Sequence, residues 1–178
     1  MKCKQFIVRS VIIAGLTLAG NWTADTANAK VEFSVKGPFG TVHGSFSGLK
    51  AIIQFDEKDL PGSSFTASID AKTVSSGIGF RNSHLRNEEQ WFNTNKYPEI
   101  AFHSRKIEKS GGDYKAMGDL TIKGNTKPAE IAFTFTHNGA TGAFKGHFTI
   151  KREDYNLGKE GGSVGSIVTI DLEVPVKK

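Results

Sequence analysis

Within residues 166–176 the chain alternates in polarity from Val168 to Val174. Val168, Ile170, Leu172 and Val174 face one way, and Thr169, Asp171 and Glu173 face the other. A side-chain period of two marks a strand with one face in an apolar core and one in water. Val31, Phe33 and Val35 alternate with Glu32, Ser34 and Lys36 in the same manner, and Phe65, Ala67 and Ile69 with Thr66, Ser68 and Asp70. Further strand runs cover 41–47 (a second piece of the first or a bent continuation), 51–55, 100–108, 114–123, 129–137 and 142–151. Turn residues separate the runs, at Gly37-Pro38-Phe39-Gly40, Pro61-Gly62, Ser110-Gly111-Gly112-Asp113, Gly124-Asn125, Asn138-Gly139 and the glycine-rich 158–165. Asn-Gly between alternating runs is a strong hairpin signal. The 13 Phe and 20 Gly suit strands and tight turns. The fold class is therefore all-β, a sandwich or a closed barrel. About eight hairpin-linked strands, none apolar on both faces, favour an eight-stranded antiparallel barrel.

One segment departs from this pattern. Residues 81–95 are polar, lack Gly and Pro, and carry Leu85, Trp91 and Phe92. Ser83 or Asn87 is suited to capping a short helix, with Glu88, Glu89 and Gln90 in its first turn. The spacing predicts a short helical insertion there, within a long connection.

The N-terminus reads as a signal peptide. Lys2, Lys4 and Arg9 precede an apolar run over 11–20 that is too short to span a bilayer. Ala27-Asn28-Ala29 fits a cleavage site, so the expected mature domain runs from Lys30 to Lys178. The expected location is the periplasm or the medium, with no stable membrane insertion after cleavage. The single cysteine, Cys3, lies in the leader, so the mature domain uses no thiol chemistry and suits an oxidising compartment. The formal charge of +5 forms no basic block and does not call for nucleic acid.

The catalytic strings are weak. Gly161-Gly162-Ser163-Val164-Gly165 matches G-x-S-x-G, but a nucleophile elbow needs a strand before and a helix after, and here a strand follows. His43, His84, His103, His137 and His147 show no metal-ligand spacing. No catalytic residue, metal ligand or cofactor is assigned. The apolar face is richer. Phe33, Phe55, Phe65, Phe102, Phe133, Phe135 and Phe148 point inward by alternation, with Trp91 and Phe92 as a lid and Arg81 and His84 as a polar rim. Alternation alone leaves open a solid core or an aromatic-lined tunnel, and Arg81 and His84 suit either a head group or the anchoring of the long connection.

Several ordered blocks resemble a known family. Residues 70–76 (DAKTVSS), 81–87 (RNSHLRN), 91–93 (WFN) and 96–102 (KYPEIAF) look like successive blocks of the YceI family. Residues 118–128 (GDLTIKGNTKP) resemble its G-x-LTI-x-G-x-T-K-P string, with Asn125 where Val is common. Residues 150–155 (IKREDY) are similar to its late basic-acidic-aromatic block, although Asn156 and Leu157 stand where a glycine often follows. The resemblance implies a lipocalin-like barrel with a helical insertion, exported and non-enzymatic. It also implies a polyisoprenoid, an isoprenoid quinone or a similar long amphiphile as the interior ligand. The alternatives are a solid-cored stress or interaction protein working through its surface, and a hydrolase using Ser163 or a histidine.

Overall fold

In the computed structural model, which describes residues 21–178, ten strand segments close into one barrel. They are β1 (Asn21–Ala24), β2 (Lys30–Gly37), β3 (Gly40–Phe46), β4 (Lys50–Gln54), β5 (Ser64–Asp70), β6 (Glu99–Ser110), β7 (Asp113–Ile122), β8 (Asn125–Asn138), β9 (Thr141–Lys151) and β10 (Ile167–Lys177). All pairings are antiparallel. β1 and β2 lie end to end along β10, and β3 and β4 lie end to end beside them. Each pair acts as one interrupted strand, which makes the wall eight-stranded. The expected 41–47 segment is thus half of the second strand rather than a continuation of the first.

Short turns set the register. Pro38-Phe39, Gly111-Gly112, Lys123-Gly124 and Gly139-Ala140 are two-residue loops, because Gly37 pairs with Gly40, Ser110 with Asp113, Ile122 with Asn125 and Asn138 with Thr141. Lys123 (φ 50°) and Gly124 (φ 73°) both take positive φ, as the hairpin turn that follows strand twist requires. β6 carries one extra residue, Arg105, between Ser104 and Lys106. The bulge switches the inward parity, so that both Phe102 and Ile107 are buried.

β1 was not foreseen, because its residues fall inside the expected leader. Trp22 pairs with Ile53 of β4, and Ala24 with Val176 of β10. The Trp22 ring is buried and meets Phe135 edge-on at 5.1 Å between centroids. A chain cut after Ala29 loses this segment, which joins β4 to the end of β10. The basic residues and apolar run of the leader lie outside the described residues.

The helical insertion sits earlier than expected. α1 spans Gly79–Asn87, and Glu88 is its C-terminal cap rather than part of its first turn. No side chain caps its start. Instead the Asn82 side-chain oxygen accepts both the Ser76 N–H and the Ser76 hydroxyl, each at 2.7 Å. That anchor holds the first turn against the loop after β5 and replaces the missing cap. Residues 88–98 then run as turns, tied back by the Phe92 N–H to the Leu85 carbonyl and the Thr94 N–H to the Arg86 carbonyl.

Candidate ligand-binding cavity

The barrel is filled at one end and hollow at the other. At the filled end, Phe55 is surrounded edge-on by Tyr114, Phe133, Phe135 and Phe144, with ring centroids 5.1–5.7 Å away. Phe135 stacks on Phe144 at 4.4 Å, and Trp22 covers Phe135 from outside. Edge-to-face and offset contacts at these distances are attractive beyond simple burial. Phe65, Phe133 and Phe144 form the upper surface of this plug and the floor of the space above it.

Above the floor lies a cavity of about 530 Å³. Its wall is almost wholly apolar. β2 contributes Val31, Phe33 and Val35, β9 contributes Phe148 and Ile150, and β10 contributes Val168, Ile170, Leu172 and Val174. Phe33 reaches across the wall because its partner in β3 is Gly44, where a Cβ would lie 2.3 Å from the ring. The space opens at the end carrying α1, the β2–β3 hairpin and the 158–166 loop, where Phe80, Arg81, His84, Leu85 and Val164 border it.

Of the nine expected lining residues, seven border the cavity: Phe33, Phe65, Phe102, Phe133, Phe148, Trp91 and Phe92. Phe55 and Phe135 do not, because they lie deeper along the barrel axis in the plug. Trp91 and Phe92 sit over the open end. Phe92 meets Phe46 edge-on at 5.6 Å, and Trp91 packs on Gly158, where φ is 70° and a Cβ would come within 3.1 Å of the indole. Arg81 and His84 both stand at the mouth. Arg81 is committed to the connection, donating from Nε to the Ser76 hydroxyl at 2.9 Å and from Nη2 to the Ser76 carbonyl at 3.2 Å. His84 faces Glu88 at 3.5 Å, with its ring 4.0 Å from that of Phe80.

Arg152 was missed as a site residue, although it stands inside one of the recognised blocks. Its guanidinium is 3% exposed and borders the cavity. It donates to the carbonyls of Leu157, Lys159, Val164 and Gly165 at 2.5–3.0 Å and lies 3.0 Å from the Glu153 carboxylate. One buried cation therefore shapes the whole 156–166 loop, using the fan of donors that a guanidinium provides. The signal available in sequence was an arginine just ahead of a loop too rich in glycine to order itself.

Ser163 lies exposed in that same loop, followed by a strand, so the G-x-S-x-G string forms no elbow. Among the described residues no group of three or more His, Cys, Asp or Glu comes together as a metal site.

Comparison with known proteins agrees with this architecture. A family model described as a YceI-like domain matches residues 22–176. A UPF0312 protein of Pectobacterium atrosepticum is 29% identical over 170 residues, covering 90% of this chain and 88% of that one. BcnA of Burkholderia cenocepacia, a solved structure, superposes with a TM-score of 0.82 at 29% identity, covering 86% of this chain and 99% of that one. A polyisoprenoid-binding domain from Saccharophagus degradans shares the fold with a TM-score of 0.67 at 15% identity, covering 88% and 97% of the two chains.

Proposed function

The chain belongs to the YceI-like domain family, and we propose that it is an exported, non-enzymatic carrier that sequesters a long amphiphile, a polyisoprenoid, isoprenoid quinone or similar lipid, in its barrel. The observation that carries this reading is the cavity of about 530 Å³ with an apolar wall and one open end. Small-molecule sites run from about 300 to 1,000 Å³ and are mostly apolar with a few polar groups at the edge. A solid-cored protein has no use for such a space, since interiors otherwise pack to crystal density. Each methylene taken from water contributes roughly 0.8 kcal/mol. A tail lying along β2, β9 and β10 therefore binds by burial, with its polar end at the mouth beside His84.

Export rests on the basic and apolar leader. For the cut, we propose a position earlier than the one after Ala29. The burial of Trp22 in the plug and the bridging of β4 and β10 by β1 support a mature chain that begins near Asn21. A cut after Ala19 places Ala19 and Thr17 at the two positions of an A-x-A-like site.

Native mass spectrometry of the protein purified from its own exporting host tests both parts. The expected result is a chain that retains Trp22 and carries a stoichiometric lipid released by solvent. A chain that stays empty when offered prenyl alcohols and fatty acids ends the carrier reading. A mature mass starting at Lys30 ends the revised cut.

A further inference from the structure

Resting on the carrier reading, we infer that the open end of the barrel docks on an anionic phospholipid bilayer through apolar tips that ring the mouth. Five large apolar side chains are strongly exposed among the described residues, and four of them stand at this end. Phe39 is 102% exposed at the tip of the β2–β3 hairpin. Ile78 and Phe80 are 53% and 73% exposed where α1 begins, and Ile167 is 57% exposed at the start of β10. Three separate segments thus deliver apolar tips to one rim. Their common location follows from the pairing. Val35 and Val42, just inside the hairpin tip, border the cavity together with Phe80. Val168, next to Ile167, pairs with Val35. The Gly165 N–H donates to the Lys36 carbonyl at 2.6 Å and ties the 158–166 loop to the hairpin.

Folding does not demand these tips. A two-residue loop works as well with a polar residue at Phe39, which touches nothing that buries it. Single protruding rings on separate loops also make a poor protein interface, which needs a contiguous packed centre. β3 pairs with β2 along one side, and its other edge is tied to the loop after β5 only at Ser45–Ser75. A bilayer surface accepts such tips singly, each entering the headgroup region. The charge agrees. The segments 36–40, 76–81 and 158–167 carry Lys36, Arg81 and Lys159, while their one acidic residue, Glu160, pairs with Lys151 at 2.9 Å. Basic residues beside apolar tips favour anionic lipid. No helix among the described residues is long and apolar enough to cross a membrane, so the helical part of the contact is peripheral. Because Phe80 is at once a rim tip and part of the cavity wall, docking makes the wall continuous with the bilayer interior. An amphiphile's tail then passes between two apolar phases without crossing water.

Sedimentation of the mature protein with phosphatidylglycerol-containing vesicles and with pure phosphatidylcholine vesicles tests the inference. The expected result is binding to the anionic vesicles that weakens as salt rises. The double variant Phe39→Ser with Ile78→Ser leaves the cavity wall untouched and is expected to lower vesicle binding at least about tenfold, as two apolar anchors are removed. Ile52→Ser, which removes the fifth exposed apolar residue from the outer face of β4, is expected to bind as wild type. Failure of the wild type to sediment, or equal loss for Ile52→Ser and the rim variant, overturns the docking inference. Uptake of a fluorescent fatty acid, followed in the same samples without vesicles, separates the two readings. Uptake without vesicle binding rejects docking alone, and vesicle binding without uptake rejects the carrier.

Discussion

Both ends of this barrel are built from phenylalanine on inward-facing strand positions, yet one end is sealed and the other hollow. At the sealed end, Phe55, Phe133, Phe135 and Phe144 meet ring against ring, and Trp22 closes the gap that β4 and β10 leave between them. At the hollow end, Phe33 and Phe92 each meet the ring of Phe46 on one side, and with Phe148 they border an open space. What differs is the company each ring keeps along the barrel axis. A ring enclosed on several sides by other rings becomes core, and one that keeps an open side among aliphatic side chains becomes a wall. The plug supplies rigidity, and the wall supplies an apolar space that the plug keeps from draining through.

The sharpest way to break the comparison is to remove the piece that seals the lower end. A chain beginning at Lys30 lacks β1 and the buried Trp22. It is expected to be less stable than a chain beginning at Asn21 by at least about 3–5 kcal/mol, the usual loss for truncating a buried Trp or Phe. Urea midpoints of the two chains measure this, and coincident midpoints would remove β1 from the account of the plug. Arg152→Met attacks the opposite end. It leaves four carbonyls and Glu153 without their buried cation, a change of about 3–5 kcal/mol. Faster proteolysis within 156–166 reports it, and an unchanged cleavage rate there would mean that the loop orders itself.

The same substitution at the two ends then measures the difference directly. Phe55→Ala is expected to cost about 3–5 kcal/mol, because Phe55 is 1% exposed and its neighbours cannot all collapse. Phe148→Ala enlarges a space that already exists. It loses only part of the transfer term, about 1–1.5 kcal/mol. Equal losses from the two variants would show that the hollow end is packed like the sealed one.

This pairing also shows what was legible in the sequence. Period-two alternation placed Phe33, Phe65, Phe102, Phe133 and Phe148 on the inner face, and the turn residues separated the strands. Alternation reports which side of the wall a residue faces and is blind to its height along the axis. Phe55 and Phe135 therefore read as tunnel residues while the fold uses them as plug. β1 was hidden for another reason. Its four residues follow an apolar leader and precede Ala27-Asn28-Ala29, so they were read as part of that leader. The helix start was hidden because its anchor, Asn82 on Ser76, runs through side chains six residues apart instead of a cap.

Tyrosine titration compares the ends again, with a smaller effect. Tyr114 lies in the plug, where burial and then its hydrogen bond to the Glu57 carboxylate at 2.7 Å push its phenol up to about 12. Tyr155 lies beside the 156–166 loop, where burial and then the charge of Asp154 push it up to about 12 as well. The ordinary value is 10.0, so each folded-state value is raised and the folded form holds the proton more tightly. The stabilisation is complete below pH 10 and is lost as pH rises through about 12. Each tyrosine is worth about 2–3 kcal/mol over that window. Tyr114→Phe and Tyr155→Phe should each flatten the alkaline fall in stability, read from urea midpoints against pH. An unchanged slope in either variant would locate that phenol in water.

The smallest expected effect is the most specific to the hollow end. Ile170 lies on the cavity wall in β10, half-buried and opposite Phe33 of β2 and Phe148 of β9. Ile170→Phe adds volume. In a packed interior such an addition forces neighbours off their rotamers and costs about 1–3 kcal/mol. Here the ring has somewhere to go, so the stability change is expected to stay below about 1 kcal/mol and carry either sign. The ring occupies space that the tail of a ligand needs, so uptake of a fluorescent fatty acid should fall while the fold is kept. Destabilisation with uptake unchanged would place the ligand elsewhere and return this face of β10 to the core.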